Sequence, residues 1–353
     1  MRTIYLIRHG HPDFPLNAHV CLGRTDTPLG PLGRMQACLL GENLQDAGLT
    51  AIFTSPLTRC RETAAPLGPE PILVNALAEQ DMGPWDGLDF TEIRERWPAL
   101  YARRAGEPLL VPPGAETLEQ VRRRVVPAVE KCLQSSDGDI AVVAHASVIQ
   151  ALLAEVCGLP LEESRPLRPP YGSYAKLRYD GTLHLDEQQL LPQLPLTPDL
   201  AERLLHEAEP GARVSVHSRA VAAEALRIAR ALPLELDTKL LHSVALLHDI
   251  ARREPEHDRL GAAWLRELGY PEAADLVEQH HDFSGEELNE AAILYIADKC
   301  IQEDRRVSLD RRFAGSEERC KTPEAKAAHG RRLAAAKRIQ AQVNGLCGRQ
   351  VIN

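Results

Sequence analysis

Apolar positions change their spacing midway along the chain. In the first half, short β-type runs at Thr3–Ile7, Ala51–Thr54, Ile72–Asn75 and Ile140–Ala144 alternate with helical stretches such as Gly33–Ala47, Thr58–Ala65 and Thr117–Leu133. This alternation predicts an α/β domain. Tyr174–Tyr179 and Thr182–Leu185 form a closing pair around the Asp180-Gly181 turn signal. Leu190–Pro198 sets three prolines among leucines, and proline disfavours helix at and before its position, so this segment is expected to be a linker. From Asp199 the apolar residues recur with helix period, as in Val221, Ala225, Ile228 and Ala229, then Leu240, Leu241, Val244 and Leu247. That half is expected to be all-α. A last helix is expected to start at Thr322-Pro323-Glu324, where threonine can cap and proline suits the first turn, and to run through Lys326–Val343.

Composition narrows the possibilities. A chain of 353 residues is long for a single core, so two domains are expected. Hydrophobic content of 44% and charged content of 26% suit an ordinary soluble globular protein. A formal charge of −9 argues against broad binding to nucleic acid or an anionic membrane. No stretch approaches the length of a membrane-spanning helix, and no signal peptide is expected, because the first apolar run is short and leads directly into Arg8-His9-Gly10. Its eight cysteines include no C-x-x-C pair, which suits a reducing cytoplasm.

The first strand, Ile4-Tyr5-Leu6-Ile7, stops at Arg8-His9-Gly10, which can place an imidazole beside a cationic phosphate clamp. Ser55-Pro56-Leu57-Thr58-Arg59, Glu79-x-x-x-Gly83-x-Trp85-x-Gly87 and Val142-Val143-Ala144-His145 follow in order. Each motif alone is commonplace, and an isolated arginine or glutamate is more often a surface residue. Together they resemble the histidine phosphatase (phosphoglycerate mutase-like) superfamily over roughly residues 1–185. That resemblance implies a three-layer α/β fold and a phosphohistidine intermediate. It assigns His9 as nucleophile, Arg8 and Arg59 as phosphate clamps, His145 as donor to a phosphate oxygen, and Glu79 as general acid and base; no cofactor is expected. Two positions depart from the family pattern: Ala146 stands where glycine is usual, and His11 where glutamate is common. The compact segment between Trp85 and Val111, Gly23–Gly30 and Leu77-Ala78-Glu79 look more like the small-molecule phosphatase branch, which includes enzymes resembling α-ribazole phosphatase.

The helical half holds His217, His248-Asp249, His257, His280-His281 and Asp298. Neighbouring residues on one helix point about 100° apart, yet both can reach one cation at the helix edge. With His217 and Asp298 from other helices, the set offers mixed nitrogen and oxygen donors suited to Mn, Fe or a similar divalent ion. Val216-His217-Ser218, Leu246-Leu247-His248-Asp249-Ile250 and Ile296-Ala297-Asp298-Lys299 resemble the HD superfamily of metal-dependent phosphohydrolases over about residues 200–312. The resemblance implies a second metal held through His257 and His280 in dinuclear members. Tyr295–Asp298 with Arg305 looks closest to bacterial symmetrical diadenosine tetraphosphate hydrolases. Helix geometry favours one of His280 and His281, and His280 is preferred. Gly269-Tyr270-Pro271 precedes the paired histidines and is taken as a turn with a glycine helix cap.

The expected architecture is an α/β histidine phosphatase domain at 1–189, a linker at 190–198, an all-α HD domain at 199–312 and a helical extension at 313–353. The expected protein is a cytoplasmic two-headed phosphohydrolase. Its expected substrates are small-molecule phosphate esters or nucleotides, with no nucleic acid or membrane partner; divalent ions in the HD domain, two of them, are the only cofactors expected. The alternatives are a nucleotide-binding sensor domain beside one catalytic domain, and an N-terminal phosphomutase.

Overall fold

The computed structural model describes residues 1–353 apart from Pro108 and Arg319. It divides into two compact units, Met1–Leu194 and Pro195–Asn353.

The first unit is built on a six-stranded sheet. Its strands are β1 (Arg2–Arg8), β3 (Ala51–Thr54), β4 (Ile72–Leu73), β6 (Ile140–Ala144), β7 (Tyr174–Tyr179) and β8 (Leu183–Leu190), in the order β4-β3-β6-β1-β7-β8. Strands β1, β3, β4 and β6 run parallel, with Leu6 beside Val142 and Phe53 beside Ile72. β7 and β8 add antiparallel edges, turning at Gly181 with a φ of 114°. A short ribbon, β2 (Val20–Cys21) with β5 (Leu88–Asp89), lies outside this sheet.

Side chains alternate across the central strands and fill two cores. Ile4, Leu6 and Val142 pack with Val121, Val125 and Val129 of α5 (Leu118–Gln134) and with Val148 and Leu152 of α6 (Ala146–Val156). Ile7, Ala141 and Val143 face the other way, onto Leu40 and Leu44 of α1 (Pro31–Leu44) and Cys60 and Ala64 of α2 (Thr58–Ala64). The central strands are apolar on both faces because helices cover both, giving the expected three layers. α3 (Phe90–Arg96) and α4 (Pro98–Arg103) form a small cap whose core joins Cys21, Trp85 and Ile93. A capping box fixes the start of α5: Gln120 N donates to the Thr117 hydroxyl, and Thr117 N donates to the Gln120 side chain.

The second unit is helical: α7 (Pro198–Ala208), α8 (Ala212–Ala231), α9 (Thr238–Leu247), α10 (His257–Glu267), α11 (Pro271–Glu278), α12 (Glu290–Cys300), α13 (Leu309–Glu317) and α14 (Pro323–Cys347). α12 is buried from Ala291 to Cys300 and packs against α8, α9, α11, α13 and α14. Burial on every side makes its Asp298 and Lys299 costly unless paired, and Lys299 Nζ lies 2.7 Å from Asp298 Oδ2. Gly269, at φ 89°, ends α10 and the next helix begins at Pro271, so Gly-Tyr-Pro is a turn.

Several boundaries differ from the sequence expectation. β4 stops at Leu73, and Asn75–Leu77 is a 3-10 turn. β8 continues to Leu190 as an exposed edge strand, with Gln189 at a φ of 56°. Inside the helical half, β9 (Ile301–Gln302) and β10 (Arg305–Arg306) form a tight ribbon with Glu303 at a φ of 60°. α14 begins as expected, with the Thr322 hydroxyl accepting from Ala325 N and Pro323 in its first turn.

Candidate functional site

In the first unit, chemistry gathers at the carboxyl ends of neighbouring parallel strands. β1 ends at Arg8, with His9 directly after it; β6 ends at Ala144, with His145 as N-cap of α6; β3 is followed by Ser55 and then α2 with Arg59. Residues far apart in sequence are thereby brought within reach of each other, as ligand sites in open α/β sheets generally are.

His9 is buried, and its Nδ1–H donates to Gly10 O at 2.7 Å. In the neutral ring this leaves the Nε2 lone pair free, and Arg59 Nε–H points to it at 3.3 Å. Burial, then the charges of Arg59 and Arg8, hold the His9 pKa well below its ordinary value. Arg59 is itself buried, donating to Thr25 O at 2.9 Å and Gly23 O at 2.7 Å. Arg8 donates to Pro169 O at 2.6 Å, and its guanidinium lies 3.6 Å from the centre of the Tyr171 ring. Burial lowers Arg8 to about 10, which keeps it cationic at neutral pH.

His145 meets His9 edge to face, with ring centres 5.0 Å apart. Ser55 Oγ lies 2.7 Å and Cys60 Sγ 3.4 Å from His145 Nε2. Burial and then the neighbouring His9 and arginines hold His145 well below the usual imidazole range. Glu79 is buried; its carboxylate accepts from Gln80 N at 2.8 Å and, more weakly, from Ser147 N at 3.4 Å, in the first turn of α6. Glu79 and Ser147 line a cavity of about 650 Å3.

The glycine after His9 is required by proximity. A Cβ on Gly10 would sit 2.4 Å from Gly33 O, so the loop passes against α1 backbone to backbone. Gly10 N donates to Thr63 Oγ1, and Thr63 Oγ1 donates to Arg59 O, tying the His9 loop to the helix that carries Arg59. His11 packs edge-on against Phe14 and Tyr171, and Ala146 is buried as the first residue of α6. Thr63, Cys60 and Tyr171 carry no local sequence signal for this role; only the topology brings them here.

In the second unit, six predicted ligands and one further histidine face one another. His217 comes from α8, His248 caps α9 and Asp249 follows it, His257 opens α10, His280 and His281 follow α11, and Asp298 lies on α12. His217 Nε2 is 3.1 Å from Asp298 Oδ1, and His248 Nε2 is 3.6 Å from Asp249 Oδ2 and 3.9 Å from Asp298 Oδ1. Asp249 Oδ1 is 3.4 Å from His257 Nε2 and 3.6 Å from His280 Nε2. Asp249 thus belongs to both groups of donors, one with His217 and His248 and one with His257, His280 and His281.

Both histidines of the 280–281 pair face the group. They occupy a bend beyond α11 rather than a helix, so the geometry expected to turn one away does not apply; His281 Nε2 is 2.8 Å from His257 Nε2. His217, His248 and His280 donate their Nδ1–H to the backbone oxygens of Glu303, Ala245 and Val277, at 2.9, 2.8 and 2.6 Å. His248 and His280 therefore present Nε2 lone pairs inward, the orientation that partners of metal-binding histidines impose, while His217 turns its Nε2 onto Asp298 Oδ1. Among the described residues, the buried atoms His248 Nε2, His280 Nε2 and Asp249 Oδ1 have no hydrogen-bond partner. Orphaned acceptors of this kind are costly, and a cation among them would remove the cost. The donor set fits a divalent ion.

Charge supports the same fit. Burial works to raise Asp298, but Lys299 and His217 hold it well below the carboxylate range; Asp249 is likewise lowered against burial, by His248 and by the close imidazoles of His257 and His280. Burial lowers His248 to about 4 despite Asp249 and Asp298. Burial also opposes charging His217, but its hydrogen bond to Asp298 outweighs this and raises it. The group opens on a cavity of about 690 Å3, whose further walls include Arg312, His329 and Arg332 from α13 and α14.

These arrangements define a class of protein that handles phosphate. Residues 4–184 match the histidine phosphatase superfamily (branch 1), and residues 214–302 match the HD domain. The chain belongs to the histidine phosphatase superfamily and carries an HD domain in its second half. It is 33% identical over 164 residues to the "Uncharacterized phosphatase PhoE" of Bacillus subtilis, a match covering 45% of this chain and 79% of that protein. It is 28% identical over 187 residues to the "Probable phosphoglycerate mutase GpmB" of Salmonella paratyphi B, covering 51% and 86%. A solved structure, "Mycobacterial hydrolase 2", superposes with a TM-score of 0.51 and 26% identity over 59% of this chain and 96% of its own. The chain is a hydrolase of phosphate esters. Among the described residues, no helix is long and apolar enough to cross a membrane.

Proposed function

We propose that the chain is a two-headed phosphohydrolase: a phosphomonoesterase acting through phosphohistidine at His9, and a metal-dependent HD phosphohydrolase acting on a nucleotide or similar phosphate compound. The observation that carries the first activity is a neutral, buried imidazole whose free Nε2 faces Arg59. Arg8 and Arg59 hold the phosphoryl oxygens by charge-assisted hydrogen bonds, and His145 donates to one of them. The His9 Nε2 lone pair forms a bond to phosphorus as the ester P–O bond breaks. Glu79, in its acid form, protonates the departing alkoxide. Its carboxylate then takes a proton from water, whose oxygen bonds to phosphorus while the P–N bond electrons return to His9. Phosphate leaves and the starting state is restored. A mutase is the second reading, favoured by the Salmonella relative; transfer of phosphate between two positions of one substrate would mark it.

For the second activity, His217, His248, Asp249 and Asp298 would hold one ion, and Asp249, His257 and His280 a second, weaker one. A bound divalent ion supplies Lewis acidity and a more acidic water. The chain's own contribution is to aim Nε2 lone pairs inward and to offer Lys299 beside Asp298.

Chelation separates the two heads. Phosphomonoester hydrolysis should survive exhaustive chelation, while hydrolysis of phosphoanhydrides or nucleotides should stop and return with Mn or Fe. Asp249→Ala should remove the second activity and the bound metal together. Loss of the first activity on chelation, or survival of the second in Asp249→Ala, would overturn the assignment concerned.

A further inference from the structure

Among the described residues, no carboxylate pairs with the Arg59 guanidinium. Its terminal nitrogens rest instead on two neutral carbonyls, Thr25 O at 2.9 Å and Gly23 O at 2.7 Å, while Nε–H points to His9 Nε2 at 3.3 Å. The charge is thereby left whole for a phosphoryl group, and the aim of Arg59 depends on where residues 23–25 lie. Those residues follow β2 without belonging to a helix or strand, and Arg24 and Thr25 are exposed. Packing alone does not fix them.

A carboxylate one step removed does. Asp86 Oδ1 accepts from Gly23 N at 2.7 Å, and Asp86 Oδ2 accepts from Arg24 N and Thr25 N, both at 2.8 Å. Three successive amides on one carboxylate are charge-assisted bonds that set the curvature of the loop. Gly23 O and Arg24 N–H belong to one peptide unit, so Asp86 at the amide end polarises the carbonyl that Arg59 uses. Neighbours in sequence place Asp86 itself. Trp85 is fully buried with Cys21 and Ile93, and Gly87, at a φ of 79°, donates its N–H to Cys21 O at 2.8 Å before β5 pairs with β2. The far end of the loop is tied as well: Asp26 accepts from Thr58 N at 2.7 Å and Thr58 Oγ1 at 2.8 Å, in the first turn of the helix that carries Arg59. A Cβ on Gly23 would lie 2.9 Å from Gln80 O, so the loop also passes against the segment that carries Glu79.

We infer that Asp86 is a positioning residue of the phosphate site: by holding the amides of residues 23–25, it sets the two carbonyls that aim Arg59 beside His9. It stands outside the wall of the cavity beside Glu79 and acts through the loop. An amide in its place offers one oxygen to three N–H groups and turns an NH2 toward the others, so the loop opens and Arg59 loses its fixed aim. This inference rests on the phosphohistidine reading and adds a residue to its site.

The test uses the full chain and p-nitrophenyl phosphate, whose leaving group needs no proton. Asp86→Asn should lower kcat/KM about tenfold or more, and should weaken inorganic phosphate, read by calorimetry, by a similar factor. Asp86→Glu, which keeps the carboxylate, should recover most of both. In an Arg59→Gln background the same Asp86→Asn change should cost little further, because the residue it acts through has gone. The His9 ring adds a sign. Burial and then Arg59 hold its pKa down, so Asp86→Asn should let it rise, as read by nitrogen chemical shifts; mere loss of a negative charge would lower it. An unchanged kcat/KM in Asp86→Asn would overturn the inference. So would a His9 pKa that falls, or a loss that recurs in full beside Arg59→Gln, which is what general damage to the fold gives. Failure of the phosphohistidine reading shows separately, as absence of acid-labile phosphate on His9 in the unaltered protein during turnover.

Discussion

The two halves of this chain use histidine in opposite electrostatic settings. Around His9 and His145 the close charges are arginines, and together with burial they hold both rings neutral. Around His217, His248 and His280 the close charges are Asp249 and Asp298, and among the described residues the inward Nε2 atoms of His248 and His280 have no hydrogen-bond partner. The first setting suits a negative visitor and leaves nitrogen free to attack it; the second suits a positive one. On the proposed reading, the same side chain serves as nucleophile or as ligand according to its neighbours.

The largest effect expected from breaking the contrast is at His9. His9→Gln should lower phosphomonoester turnover by on the order of 10^4-fold or more, as removal of a nucleophile does elsewhere, with hydrolysis by the metal-dependent half retained. Turnover of both substrate types on chelated and metal-loaded protein checks this; a phosphomonoesterase that persists in the variant would reject the nucleophile.

Next comes Glu79. Glu79→Gln should slow alkyl phosphates by roughly 10^2- to 10^4-fold, the range of general acid catalysis, and p-nitrophenyl phosphate far less, because its phenolate leaves without a proton. Steady-state rates on both substrates decide the matter, and equal losses would make Glu79 a binding or structural group.

A subtler change is expected at His257. His257→Ala should leave the chain with one tightly held ion and lower turnover of the second activity sharply, since Asp249, His248, His217 and Asp298 remain. Metal analysis after dialysis would refute this if the variant kept two ions or lost both.

The smallest effect is spectroscopic. His9 and His145 lie well below the usual imidazole pKa, so both should still be neutral at about pH 6, where an ordinary imidazole is largely charged. The sign for stability follows: the unfolded chain binds protons there that the folded chain refuses, so stability contributed by these rings is present above about pH 6.5 and declines below it. Nitrogen chemical shifts of the two rings through this range test the point, and charged rings at pH 6 would remove the electrostatic contrast.

Much of both candidate sites could be read from the sequence because their groups sit at ends of elements with strong local patterns. An apolar strand closing on Arg8-His9, another closing on His145, and a helix running into His248-Asp249 each announce themselves. Groups supplied by topology did not. Tyr171 stacks on Arg8 from a loop before β7, and Cys60 meets His145 from the far side of α2. Arg312 and Arg332 reach the second cavity from helices beyond the HD match. Helix geometry could not rank His280 against His281, because α11 ends at Glu278 and the following bend turns both rings inward. The edge strand to Leu190 was hidden by its polar run Asp186-Glu187-Gln188-Gln189, since an exposed edge needs little apolar alternation.

The contrast is tested most directly by labelling. Full-length protein carrying Asp249→Ala, stripped of metal, is mixed with a phosphate ester labelled in its phosphoryl group and quenched during turnover. The account predicts acid-labile phosphate on His9, approaching one per chain, because the arginine-flanked site needs no cation. Absence of label without metal, or label on a residue other than His9, would contradict it.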